Sequence, residues 1–404
     1  MKSASIKTSQ YDESTYDDGN GDGNSDRSDD PGDVDNIDGT RMSQNQSRRF
    51  DIAVLPGDGI GNEVIAATIP ILERVARGAP FQLQFSEHPA GAQHYAKNGQ
   101  ALPDATFAAA QAADAILFGA MGWPAIRYPD GTEIAPQLDL RVRLELYAGV
   151  RPARALPGLR LPLADARAAT LDLVVVREST EGLFASRGKG QIIDDREARD
   201  TMVITRAGSE RIHDFALRLA RRRKARGRPG RVTCVDKANV FRSMAFFRKI
   251  FDERAAQFPD IEARHHYIDA TALDLVRKPW EFDVIVTENM FGDILSDLTA
   301  ALIGGMGMAP SADVGDQHGL FQPCHGSAPD IAGQGKANPT ATILSAAMML
   351  DWLADRSGMK ALSDAALRIE AAVDRVYAQG SIKPFEFGGT DGTSAIANAI
   401  ASEL

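Results

Sequence analysis

Cysteine is scarce. Cys234 and Cys324 are the only two in 404 residues, and neither has the CxxC spacing of a zinc site or a redox motif. Both are expected to be reduced thiols in a reducing compartment. Long apolar runs are missing as well. No stretch approaches the roughly 18 residues that a membrane helix needs, and the amino terminus lacks the apolar core of a signal peptide. A cytoplasmic chain with no membrane partner is the expectation. Outside the first 40 residues the chain is near neutral and carries no basic stripe, so nucleic acid is a poor partner.

What is present suits an enzyme. With 44% apolar and 25% charged side chains, the chain can fill two cores. The net charge of -10 is unevenly spread: residues 1–40 hold ten Asp and one Glu against Lys2, Lys7 and Arg27. That stretch cannot bury enough apolar surface to offset its ordering entropy. Residues 1–49 are therefore expected to be a disordered acidic tail, and Met42 offers a second plausible start.

From Phe50 onward, apolar runs alternate with helical spacing, which predicts an α/β fold. Asp51 to Leu55, Ala115 to Phe118, Leu171 to Val176, Val232 to Val235 and Phe282 to Val286 read as strands. Ile65, Ile69 and Leu72 mark a helix that Pro70 should kink. Between the first strand and this helix, Gly57, Gly59 and Gly61 give GxGxG, not the GxGxxG of a dinucleotide turn. The basic run Arg218 to Arg231 reads as a solvated helix end.

The sharpest chemical signal is Thr287-Glu-Asn-Met-Phe-Gly-Asp293-Ile-Leu-Ser-Asp297. A helix here puts Asp293 and Asp297 on one face, where their repulsion is relieved by a hard cation such as Mg²⁺ or Mn²⁺. Asp269 is a third candidate carboxylate. Arg141, Arg151 and Arg177 would complement an anionic substrate, Arg177 from the end of a buried strand.

Four motifs occur together in order: Leu55-Pro-Gly-Asp-Gly-Ile-Gly61, Asp236-Lys-Ala-Asn239, Asn289 to Asp297, and His325-Gly-Ser-Ala-Pro-Asp-Ile-Ala-Gly333. Over residues 50–404 the chain resembles the isocitrate/isopropylmalate family of β-decarboxylating dehydrogenases, closest in kind to the isopropylmalate enzymes. The resemblance implies a two-domain α/β fold with the active site in the interdomain cleft. Residues 50–146 and 304–404 would form the first, NAD-binding domain, and 147–303 the second, which dimerises and holds metal and substrate.

It also implies roles. Arg141, Arg151 and Arg177 would grip the malate carboxylates, and Asp293 and Asp297 would ligate Mg²⁺ or Mn²⁺. Asp269, a further metal ligand, and Lys237, which would help remove the hydroxyl proton, would both reach in from the partner of a homodimer with shared sites. His325, Gly326, Ser327, Ala328, Pro329, Asp330 and Asn338 match the adenosine loop, where Asp330 favours NAD because NADP-using members carry Lys there. The implied reaction is oxidative decarboxylation of a 3-substituted malate, 3-isopropylmalate-like.

Two positions depart from the family pattern. Gln137 and Leu138 stand where isopropylmalate enzymes place two leucines, and Ala135 lacks the serine hydroxyl of isocitrate enzymes. Tartrate and D-malate dehydrogenation are thus alternatives, and a non-catalytic regulatory subunit is a third. Phe184 stands where relatives have Tyr, the phenol expected to protonate the enolate.

Overall fold

A computed structural model describes residues 47–404. The expected acidic tail lies outside the described residues except at its end, where Arg48 and Arg49 already belong to the first strand. In chain order the elements are β1 (Arg48–Gly57), α1 (Gly61–Ala76), β2 (Phe81–Glu87), α2 (Ala92–Asn98), α3 (Asp104–Ala112), β3 (Ala115–Ala120), α4 (Pro136–Arg143), β4 (Ala148–Arg154), β5 (Asp172–Glu178), β6 (Gln191–Ile193), β7 (Glu197–Arg199), α5 (Arg206–Ala225), β8 (Arg231–Asp236), α6 (Arg242–Ala255), β9 (Glu262–Tyr267), α7 (Ile268–Arg277), β10 (Val284–Thr287), α8 (Asn289–Leu302), β11 (Pro310–Val314), β12 (Gly319–Pro323), α9 (Thr340–Ser357), α10 (Lys360–Gln379) and α11 (Thr393–Ser402).

Ten strands form one mixed sheet in the order β2-β1-β3-β12-β11-β4-β5-β10-β8-β9, while β6 and β7 make a separate two-stranded ribbon. The apolar runs form the buried interior: all six residues of β3 and all four of β10 are buried. Parallel pairing dominates, but β11 runs antiparallel to both β12 and β4, and β4 antiparallel to β5. Strands from the two ends of the chain thereby meet strands from its middle at the β11–β4 seam.

Helix α1 runs unbroken through Pro70, which is exposed. The carbonyl of Ala66, deprived of its helical partner, lies on that wet side. The glycine turn after β1 is explained by its neighbour. Gly59 has φ +55°, and a Cβ there would lie 2.1 Å from the Ser327 carbonyl oxygen, which itself accepts from Ile60 N at 2.9 Å. Asp58, fully buried, accepts from the amides of Ala92, Gln93 and Gly122. The turn thus anchors the 325–330 loop.

The basic run on α5 is not simply solvated. Arg221 pairs with Asp260, Arg222 with Asp355, Arg226 with Asp351, and Arg223 reaches Asp172 at 3.0 Å and the buried Asp283 at 2.6 Å. These pairs tie the helix to the sheet and to α9. Among the described residues no helix is long and apolar enough to cross a membrane.

Candidate active site

A cavity of about 250 Å³ opens around the carboxyl ends of β3 and β5. Gln137, Leu138, Arg141, Arg151, Arg177, Phe184, Asp293, Asp297, His325 and Gly326 line it, together with Ser311, Gln322 and Cys324. Residues separated by nearly 190 positions are brought together here, the geometry expected of a ligand site at the strand ends of an α/β sheet.

Each arginine is nearly buried, at 7%, 6% and 3% exposure for Arg141, Arg151 and Arg177. Arg177 leaves the end of β5 over Gly292, where any Cβ would fall 2.6 Å from its own. Its Nε and Nη2 donate to Asn289 Oδ1 at 2.8 and 2.6 Å, and its Nη1 to Asp293. Burial, and then Arg141 beside it, bring this guanidinium down to about 10. Arg141 Nε and Arg151 Nη2 donate to opposite oxygens of Asp313, each at 2.9 Å.

The carboxylate pair sits on α8 as its spacing requires. Glu288 caps the helix by accepting from Met290 N and Phe291 N, and Asp293 and Asp297 are both exposed along one face. Burial and then the charge of Asp293 raise the Asp297 carboxyl above its ordinary range, as a like charge one helical turn away should. Asp269 stands elsewhere: in the first turn of α7 it accepts from Lys237 Nζ at 2.6 Å, and that hydrogen bond lowers its pKa. Neither Lys237 nor Asp269 lines the cavity of its own chain.

Among the described residues, the one group of three metal-ligating side chains that closes to within 4.8 Å is Cys234, Asp236 and His265. It makes a poor site, because Arg248 occupies both oxygens of Asp236 and burial raises the thiol well above its usual range.

Along the 325–338 loop, the groups differ in what they leave free. His325 Nε2 is buried without a partner while its Nδ1 meets the Gly326 carbonyl at 2.9 Å, and burial lowers its pKa, favouring neutral imidazole. Gly326 has open space where a Cβ would be. Ser327 is tied to the Gly122 carbonyl, Ala328 adopts φ +37°, and Pro329 is half-buried. The Asp330 side chain is exposed, with no hydrogen-bond partner among the described residues. Asn338 is committed internally: its Nδ2 donates to Glu386 at 2.6 Å and its Oδ1 accepts from Thr340.

Several lining groups escaped the sequence reading. Asp313 and Gln322 lie in strands with no distinguishing motif, although a charged residue inside the buried run Pro310 to Val314 signals a partner. Cys324 was visible only as a free thiol, which it is; burial raises it to about 11.

The family model of isocitrate/isopropylmalate dehydrogenase matches residues 51–400. A 3-isopropylmalate/3-methylmalate dehydrogenase of Methanocaldococcus jannaschii is 44% identical, over 87% of this chain and 98% of that one. A 3-isopropylmalate dehydrogenase of Moorella thermoacetica is 43% identical, over 88% and 98%. Among solved structures, an isocitrate dehydrogenase of Methylococcus capsulatus superposes with a TM-score of 0.77 at 38% identity, covering 88% of this chain and 99% of its own. The chain belongs to the isocitrate/isopropylmalate dehydrogenase family and is a decarboxylating dehydrogenase.

Proposed function

We propose that the enzyme oxidises and decarboxylates a 3-substituted malate of the 3-isopropylmalate kind, using NAD and Mg²⁺ or Mn²⁺, as a cytoplasmic homodimer with shared active sites. The observation that carries this reading is the convergence of Arg141, Arg151, Arg177, Asp293 and Asp297 on one cavity. Three guanidiniums facing Asp293, Asp297 and Asp313 leave the site's own charges near balance. A dicarboxylate adds two negative charges, and a divalent cation at the α8 carboxylates removes them.

The donor sets fit these ligands. Asp293 and Asp297 offer only oxygen, as a hard cation prefers. The unpaired His325 Nε2, the open space at Gly326 and the free Asp330 carboxylate suit a nucleotide, with Asp330 accepting from ribose hydroxyls and repelling a 2′-phosphate. When bound, the nicotinamide would take the hydride and the cation would acidify the 2-hydroxyl. The arginines hold the carboxylates, and Arg177 is steadied by the ring of Phe184. Lys237 and Asp269 would enter the partner's site together, where Asp269 would join the cation's ligands and Lys237, as a neutral amine, would take the hydroxyl proton.

Dimerisation is supported by apolar exposure on and beside the helices of residues 147–303: Phe241, Leu273, Val276 and Ile294 are 50%, 55%, 49% and 58% exposed, side chains that a partner subunit could cover. The short ribbon of β6 and β7 offers open edges for pairing. Strand order supports the two-domain division, because β2, β1, β3, β12 and β11 come from residues 50–146 and 304–404 apart from the first two of β1, and the other five from 147–303. The two free thiols accord with a reducing cytoplasm.

A second reading, tartrate or D-malate as substrate, is favoured by the buried Gln137 Oε1, which has no partner and would welcome a substrate hydroxyl. NADH formation from 3-isopropylmalate, D-malate, tartrate and isocitrate, with and without Mn²⁺, tests the choice. Highest kcat/KM on 3-isopropylmalate is expected. A preference for tartrate would replace the first reading with the second, and turnover without metal would contradict both.

A further inference from the structure

We propose that Asp313 is a positioning residue for substrate recognition, its single carboxylate setting the forks of Arg141 and Arg151 so that the free end of Arg141 meets the substrate carboxylate. This rests on the dicarboxylate reading given above.

Asp313 is fully buried in β11. Oδ2 accepts from Arg141 Nε at 2.9 Å and from Gln322 Nε2 at 2.8 Å, while Oδ1 accepts from Arg151 Nη2 at 2.9 Å. A carboxylate offers about four lone-pair sites, so most of its capacity is used. The antiparallel register that sets Ala312 against Val150 and Asp313 against Gly149 delivers it between the two arginines. Gly149 leaves the necessary room, since a Cβ there would lie 3.3 Å from Asp313 Oδ1.

The two forks are left in different states. Arg151 Nη1 also donates to the carbonyls of Ala312 at 2.7 Å and Val150 at 3.3 Å, which fixes its plane against the backbone. Arg141 is held through Nε alone, and its two Nη groups have no protein partner among the described residues. Those two parallel donors match a carboxylate bidentately. Asp313 also offsets the repulsion between adjacent guanidiniums. Burial by itself would raise its pKa, yet Arg141 and Arg151 hold it at about 2, so it is ionised at neutral pH.

A positioning role and a mere counterion role differ in what a displaced charge does. Asp313→Glu keeps the buried charge but moves the oxygens by a methylene. Malonate, a dicarboxylate that needs no turnover, is the probe for calorimetric titration of the purified enzyme. With Asp313→Glu, malonate Kd is expected to weaken about tenfold, with NAD Kd within about twofold and Tm close to wild type. Asp313→Asn, which also turns a donor toward one guanidinium, should weaken malonate further. An unchanged malonate Kd in Asp313→Glu overturns the proposal, as does equal weakening of malonate and NAD together with a fall in Tm. Wild type that binds malonate yet turns over no hydroxy dicarboxylate would overturn the functional reading instead, leaving the malonate comparison intact.

Discussion

The guanidinium of Arg177 lies 4.9 Å from the ring centroid of Phe184. A cation over an aromatic face is worth roughly 0.5–2 kcal/mol, more as water is excluded, so the ring steadies an arginine that donates to both Asn289 and Asp293. Phe184 nonetheless carries no proton to give, at a position where the family resemblance implies a tyrosine.

Phe184→Tyr is expected to keep the ring stacking and add a proton donor. If protonation of the enolate limits turnover, kcat should rise by up to ~10²-fold, at the low end of what a placed general acid supplies. Released carbon dioxide and NADH, followed separately, check this. An equal fall in both would mean that the new hydroxyl disturbs Arg177 and that another group protonates carbon.

Charge at residue 330 should set the nucleotide. Asp330→Lys replaces a free, exposed carboxylate with a cation where a ribose 2′-phosphate would lie. The ratio of kcat/KM for NAD to that for NADP is expected to fall by at least about tenfold. An unaltered ratio would reduce Asp330 to a loop residue.

Gly59→Ala probes the coupling between the glycine turn and the nucleotide loop. The added Cβ meets the Ser327 carbonyl and must adopt φ +55°, so a loss of more than about 1 kcal/mol is expected. NAD KM should rise with the fall in Tm. A lowered Tm with unchanged NAD KM would show that the turn supports the fold but not the loop.

His213 predicts an acid limit to stability. It is fully buried on α5, its Nε2 meets the Phe247 carbonyl at 3.1 Å, and burial drops its pKa from 6.5 to about 3. Below pH 6.5 the unfolded chain takes up a proton that the folded chain refuses until about pH 3, so this residue withdraws stability as pH falls through that window. His213→Gln should lower Tm at pH 7 but show a smaller drop between pH 7 and 5. An identical drop in variant and wild type would assign the acid sensitivity to other groups.

What the sequence made legible follows from which forces are local. The apolar runs of β3, β5, β8 and β10 stood out because a buried strand must exclude water on both faces. The spacing of Asp293 and Asp297 revealed a shared helix face because residues four apart lie one above the other on a 3.6-residue period. Three of the missed strands were obscured by composition: β4 carries Arg151, Pro152 and Arg154, β9 reads Glu-Ala-Arg-His-His-Tyr as an exposed edge, and β11 contains the charge of Asp313. Asp313 finds Arg141 across 172 residues, a pairing that no local pattern encodes. The resemblance supplied the site where spacing could not, but Gln137 and Phe184 still had to be judged by their surroundings.

The central claim, that this cavity decarboxylates a dicarboxylic hydroxy acid with NAD and a divalent cation, is tested most directly by product stoichiometry. NADH and carbon dioxide should be measured together from 3-isopropylmalate, in Mn²⁺ and in excess chelator, for wild type and Asp293→Asn. Equal amounts of the two products in Mn²⁺, and neither in chelator or in the variant, are expected. NADH formed without carbon dioxide, or turnover that persists in chelator and in Asp293→Asn, would contradict the account.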